Sequence, residues 1–174
     1  YVVMDNQIYG LTKGQTSPRS AAGFVTKSTP GGAIEPSLKP LEVALTAGAT
    51  FVAQGFSTDI KELTALIEAG LNHKGFSFIN VFSPCVTYNK VNTYDWFKEN
   101  LTKLSDIEGY DSSNRELAMQ TVMKHEGLVT GIVYHDTDTK SYQEKIVGYS
   151  ELPLTDIDIS LSEDQFNELV KEFM

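Results

Sequence analysis

Two short stretches hold residue types that could do chemistry. In the first, Asp5-Asn6 follows the apolar run Tyr1-Val2-Val3-Met4 and leads into Gln7-Ile8-Tyr9-Gly10-Leu11-Thr12-Lys13-Gly14-Gln15-Thr16-Ser17-Pro18. An Asp-Asn pair can offer side-chain oxygens to a hard cation such as magnesium. The glycines let the backbone approach phosphate, and Thr12 and Lys13 add a hydroxyl and a positive charge. In open α/β sheets ligands bind beyond the carboxyl ends of the strands, where this stretch would lie. The residues read as a phosphate and magnesium loop, and the spacing alone equally allows an Asn- and Gly-rich turn with no ligand. The second stretch is Pro84-Cys85-Val86-Thr87-Tyr88-Asn89, which contains the one cysteine. One thiol excludes an intrachain disulfide and a zinc site built on several thiolates. Taken alone, a lone cysteine is more often an inert buried thiol than a ligand.

Other polar residues offer less. His73, His125 and His135 stand apart in the sequence and read as surface histidines. Asp136, Asp138, Asp156 and Asp158 form carboxylate pairs in loop-like surroundings, without the glycine and closing glutamate of a calcium loop. Tyr94, Trp96 and Phe97 read as core or interface residues rather than a stacking platform.

The positioning elements follow from pattern. Val2–Met4 reads as the second half of a buried strand, which makes the chain a truncated or partial polypeptide by expectation. Residues 6–39 form a long Gly-, Ser-, Thr- and Pro-rich loop, a length usual for a functional loop or a linker. Pro40 starts a helix that runs to Gly48. Phe51–Gly55 is a strand, and Thr58 or Asp59 caps a helix carrying Ile60, Leu63, Leu66, Ile67 and Leu71. Phe76–Phe82 is a strongly apolar strand. Alternating strands and helices predict parallel pairing. Beyond Cys85, Tyr94–Leu104 and Ser113–His125 read as helices, the latter capped by Asp111 or Ser112. Leu128–Tyr134 reads as a strand and Glu151–Leu161 as an acidic irregular stretch. Ser162 with Gln165 forms a capping box for a last amphipathic helix.

Composition narrows the class. The chain has 174 residues, 41% hydrophobic and 21% charged, which suits one globular domain. Net charge is −9, so nonspecific nucleic-acid binding is not expected. No apolar run reaches the roughly 18 residues of a membrane span, and the N-terminus lacks signal-peptide features. A cytoplasmic location is expected, with no membrane partner.

The first stretch, Asp5-Asn6-x-Ile8-Tyr9-Gly10-Leu11-Thr12-Lys13-Gly14-Gln15-x-Ser17-Pro18, resembles the second half of the thiamine-diphosphate motif in beta subunits of 2-oxoacid:ferredoxin oxidoreductases. The second, from His73 through Pro84-Cys85-x-Thr87-Tyr88-Asn89, is similar to the same family's strand and Pro-Cys-x-Thr segment. The matches lie in the family's order and cover roughly residues 2–96. The resemblance implies an α/β fold: the C-terminal part of a thiamine-diphosphate-binding (diphosphate-type) domain over residues 1–92, with a mostly parallel sheet. A helical C-terminal extension over residues 93–174 would pack on it.

The resemblance further implies magnesium ligands at Asn6, through its side chain, and Ile8, through its carbonyl. Gly10, Leu11 and Thr12 would lie beside the diphosphate, and Cys85 would be the fourth ligand of a [4Fe–4S] cluster. The motif's opening Gly-Asp-Gly and the other three cysteines are not in this sequence. The implied activity is oxidative decarboxylation of a 2-oxoacid to an acyl-coenzyme A with reduction of ferredoxin, in partnership with an alpha subunit. Lys13 is the candidate for a substrate carboxylate, which favours 2-oxoglutarate over pyruvate. The isolated chain is expected to be inactive. The rival readings are a non-catalytic binding or scaffolding domain that keeps the fold, and a different thiamine-diphosphate enzyme.

Overall fold

The computed structural model describes residues 1–173. Five strands form one sheet in the order β1-β3-β2-β5-β4: β1 Val2–Asp5, β2 Phe51–Phe56, β3 Ser77–Phe82, β4 Thr102–Lys103 and β5 Val129–His135. β1 and β2 pair with β3 in parallel, and β5 joins β2 antiparallel. The sheet is therefore mixed and mostly parallel, and the C-terminal half contributes two of its strands. Helices α1 Pro40–Thr46, α2 Ile60–Asn72, α3 Tyr94–Asn100 and α4 Arg115–Lys124 accompany them. The chain divides into two compact units, residues 1–141 and 142–174.

Both faces of β2 are buried, which is why Phe51–Phe56 lacks polar alternation. One face, through Val52, meets Leu41, Leu45, Ala118 and Val122 of α1 and α4. The other, through Phe51 and Ala53, meets Leu66 of α2 with Ile79 and Val81 of β3. At the carboxyl end Phe56, Phe82 and Phe97 close a third cluster, against which Tyr94 and Trp96 pack as expected. α2 begins where the Asp59 side chain accepts from the Glu62 amide.

Several expectations change. β1 is an edge strand in this structure, not a buried one, and Val2 and Met4 are exposed. α3 stops at Asn100 rather than Leu104, because Leu101 turns extended and Thr102 and Lys103 pair with β5. Leu104 then enters the core. α4 starts at Arg115 and is capped by Asn114, whose side chain accepts from the Leu117 amide. Asp111 instead closes the preceding turn, accepting from Ser113.

In the second unit, Ser162 and Gln165 form the expected capping box at the start of α5, Glu163–Lys171. Its apolar residues Phe166 and Leu169 are exposed. Among the described residues no helix is long and apolar enough to cross a membrane.

Candidate functional site: the loop after β1 and the turn after β3

The carboxyl ends of β1 and β3 lie side by side, with Asp5 opposite Phe82. The loops that leave them must therefore meet, and Gly10 is the meeting point. A Cβ on Gly10 would lie 3.1 Å from Cys85 Sγ and 3.6 Å from Asn6 Nδ2. A side chain there would press on the Cys85 sulfur, and Asn6 and Cys85 flank the same glycine. The two sequence motifs meet at this glycine.

The loop is folded on itself. Asn6 Oδ1 accepts from the Ile8 amide at 3.2 Å, which puts that side-chain oxygen and the Ile8 peptide on one tight turn. Ile8 is buried and anchors the turn. Tyr9 exchanges backbone hydrogen bonds with Gly14 and Gln15. Thr12 donates its hydroxyl to Gln15, while Leu11, Thr12 and Lys13 at the loop tip are exposed. Lys13 has φ of 73°.

Asp5 does not share the role that its neighbour could play. Its carboxylate points into the protein, where Oδ2 accepts from Arg19 Nε at 2.8 Å and Oδ1 from the Gln7 amide. The side chain is 1% exposed. Behind it runs a polar row through the sheet: Asn80 Nδ2 donates to Asp5 Oδ2 and to Gln54 Oε1, and Gln54 Nε2 donates to the carbonyls of Gly127 and Val129. Asn80 Oδ1 is buried with no partner. Arg19 also donates to Ser37 Oγ and to the Leu38 carbonyl, tying both ends of the long loop to the end of β1. Gln54 and Asn80 could have been found in the sequence, as polar residues inside otherwise apolar strands. Arg19 carried no such signal.

The donor set fits a share of a magnesium site. Asn6 Oδ1 keeps a lone pair after its bond to Ile8, and the Ile8 carbonyl is a second neutral oxygen on the same turn. Two oxygens are fewer than the six that magnesium takes. Among the described residues no three His, Cys, Asp or Glu side chains gather for a metal. Cys85 is half-buried and is the only thiol of the chain. A four-iron cluster at this point would need three further thiolates.

The histidines are not all isolated. His73 caps the end of α2 and His135 ends β5, and their rings lie 5.2 Å apart, centroid to centroid. Antiparallel pairing sets His135 opposite Phe51 and so brings it to His73. His73 Nε2 also meets Thr50 Oγ1 at 2.8 Å. Burial, then the neighbouring His135, hold the His73 imidazole below its ordinary value. This pair lies at the opposite end of β2 and β3 from the loop site.

Two family models match. Residues 1–81 match the thiamine pyrophosphate enzymes' C-terminal TPP-binding domain, and residues 85–151 match the C-terminal region of the pyruvate ferredoxin oxidoreductase beta chain. The beta subunit of a 2-oxoacid:ferredoxin oxidoreductase from Sulfolobus sp is 35% identical over 155 residues, 83% of this chain and 51% of that protein. The 2-oxoglutarate oxidoreductase subunit KorB of Mycobacterium tuberculosis is 41% identical over 88 residues, 51% of this chain and 24% of that protein. A 2-oxoglutarate:ferredoxin oxidoreductase from Magnetococcus marinus, solved with 2-oxoglutarate, coenzyme A and succinyl-CoA bound, superposes with a TM-score of 0.75 at 39% identity. That match covers 80% of this chain and 48% of the other. The chain thus spans about half the length of its full-length archaeal relatives. With a match to the TPP-binding domain in front and one to this family's own C-terminal region behind it, the chain belongs to the beta-subunit family of 2-oxoacid:ferredoxin oxidoreductases.

Proposed function

We propose that the chain supplies the diphosphate-holding loop and one cluster ligand of a 2-oxoacid:ferredoxin oxidoreductase. Together with the rest of the beta subunit and an alpha subunit, it would convert a 2-oxoacid and coenzyme A to acyl-coenzyme A and carbon dioxide, passing two electrons to ferredoxin. The single observation that carries this reading is the contact at Gly10. It brings the Asn6 side chain, through Nδ2, and the Cys85 thiol to the same glycine.

Thiamine diphosphate supplies the electron sink that lets a 2-oxoacid lose carbon dioxide. The work of this chain's residues is binding and placement. Asn6 Oδ1 and the Ile8 carbonyl would hold magnesium, and Gly10, Leu11 and Thr12 would border the diphosphate. For Thr12 to donate to a phosphate oxygen, its hydroxyl must leave Gln15. Cys85 would give one of the four thiolates of a [4Fe–4S] cluster beside that loop. Lys13 is exposed at the tip and would pair with the distal carboxylate of 2-oxoglutarate, which pyruvate lacks. By itself the chain would bind the cofactor weakly, because it offers only two magnesium oxygens.

The test is made in the complete complex. Asn6→Ala should abolish decarboxylation by removing a metal ligand, and normal turnover would show the loop misassigned. Lys13→Ala should lower kcat/KM for 2-oxoglutarate by roughly tenfold or more, as expected for a charge-assisted hydrogen bond, and leave pyruvate nearly unchanged. An equal loss for both acids would remove Lys13 from substrate selection.

A further inference from the structure

Gln7 stands between Asn6 and Ile8, the two residues assigned to magnesium, and its backbone is left-handed, with φ of 58°. A residue with a Cβ adopts that conformation against its own preference, so neighbouring groups must hold it there. We propose that Ser20, acting with Asp5, holds it, and is thereby a positioning residue that sets the geometry of the magnesium turn. The inference rests on the reading of that turn given above and goes beyond it, since Ser20 has no part in that reading.

Both peptide groups of Gln7 are taken by buried side chains. Its amide donates to Asp5 Oδ1 at 3.2 Å, and its carbonyl accepts from Ser20 Oγ at 2.7 Å. Asp5 and Ser20 are each 3% exposed. Among the described residues, the other non-glycine residues with positive φ are Lys13 and Glu126. Their amides donate to the backbone carbonyls of Gly10 and Met123, the bonding of a plain turn. Gln7 is held differently, by side chains that come from outside its own turn.

The serine is itself fixed. Its Oγ accepts from the Ser17 amide at 3.0 Å, and its own amide donates to the Ser17 carbonyl at 2.9 Å. Pro18 stiffens the turn between them. A hydroxyl has one proton to give, and this one goes to the Gln7 carbonyl. The neighbouring Arg19 donates through Nε to Asp5 Oδ2 at 2.8 Å. Residues 17–20 therefore grip Gln7 at both ends, through Ser20 directly and through Arg19 by way of Asp5. The conformation of Gln7 in turn fixes how the Asn6 side chain and the Ile8 peptide lie relative to each other. Magnesium demands near-ideal octahedral geometry, so loosening Gln7 should weaken the metal's hold more than it slows the chemistry.

The test is made in the complete complex, stripped of metal and titrated with magnesium at saturating thiamine diphosphate. Calorimetry gives the magnesium Kd, and turnover gives kcat at saturating magnesium. Ser20→Ala should raise the Kd by about fivefold or more, the loss expected from one hydrogen bond, and lower kcat far less. Asparagine adopts a left-handed backbone more readily than glutamine. In a Gln7→Asn background Ser20→Ala should therefore raise the Kd by only about twofold or less. A serine that merely braced the loop would give the same loss in both backgrounds. The inference is overturned by an unchanged Kd for Ser20→Ala, by a fall in kcat with no change in Kd, or by an equal loss with and without Gln7→Asn. Asn6→Ala, measured alongside, separates the two readings. If it abolishes magnesium binding while Ser20→Ala has no effect, the turn is a metal site and only the positioning role fails. If it too leaves the Kd unchanged, the assignment of the turn fails and this inference fails with it.

Discussion

Replacing Arg19 by Met tests how the loop is held. Its guanidinium is 20% exposed and pairs with an Asp5 carboxylate that is 1% exposed. Removing the cation leaves that carboxylate buried with only the Gln7 amide and the Asn80 amide group, the latter at 3.4 Å, as donors. Breaking a buried pair from one side costs about 3–5 kcal/mol, and the partial exposure of Arg19 puts this case near 3. For a chain of this size roughly 2–4 °C is lost per kcal/mol, so Tm should fall by about 6–12 °C. Asp5→Asn in the same background removes the buried charge and still accepts from Gln7, so it should regain about half of the loss or more. The assay is thermal and urea unfolding of the four proteins of the cycle. A single-variant loss below about 2 °C, or no rescue by Asp5→Asn, would refute the claim that this pair fastens the loop.

Two more outcomes follow from the structure. Because burial and His135 depress the folded pKa of His73 below 6.5, the unfolded chain takes up the proton first as pH falls. Stability should therefore decline below about pH 6.5, and His73→Gln should flatten that decline; an unchanged slope of urea midpoint against pH would contradict it. Gly14→Ala combines a left-handed backbone with a Cβ 3.1 Å from the Tyr88 ring, and should cost roughly 1–3 kcal/mol in unfolding experiments. Tyr88→Ala should relieve only the contact part of that cost, and a wild-type Tm for Gly14→Ala alone would show the position is not constrained.

Much of the site was legible because its chemistry is local. Asn6 and Ile8 sit on one turn and Gly10 opens the next, and turns of that kind are written in adjacent residues. The approach of Cys85 to Gly10 was not legible, since it depends on β1 pairing with β3 across more than seventy positions. The same holds for Arg19, an arginine in a long loop whose partner is fixed only when the loop closes on the sheet. His73 and His135 meet because β5 runs antiparallel to β2, whereas the alternation that predicted parallel strands, correctly, ended at Phe82. The early end of α3 has a similar origin: Thr102 and Lys103 leave helical geometry to pair with β5, a tertiary preference that overrides local helix pattern. The edge position of β1 was misread from its apolar sequence, which looks the same whether or not a neighbour covers it.

The central claim is that the loop after β1 and the turn after β3 form one redox site, and Cys85→Ser in the complete enzyme complex tests it most directly. Iron content and the electron paramagnetic resonance signal of the reduced cluster are measured alongside ferredoxin reduction and carbon dioxide release in the first half-turnover. Iron should fall or the signal should shift, ferredoxin reduction should slow, and first-turnover carbon dioxide release should suffer less. An unchanged cluster signal with full ferredoxin-coupled turnover would show that Cys85 only packs against Gly10, and the account of a shared site would fail.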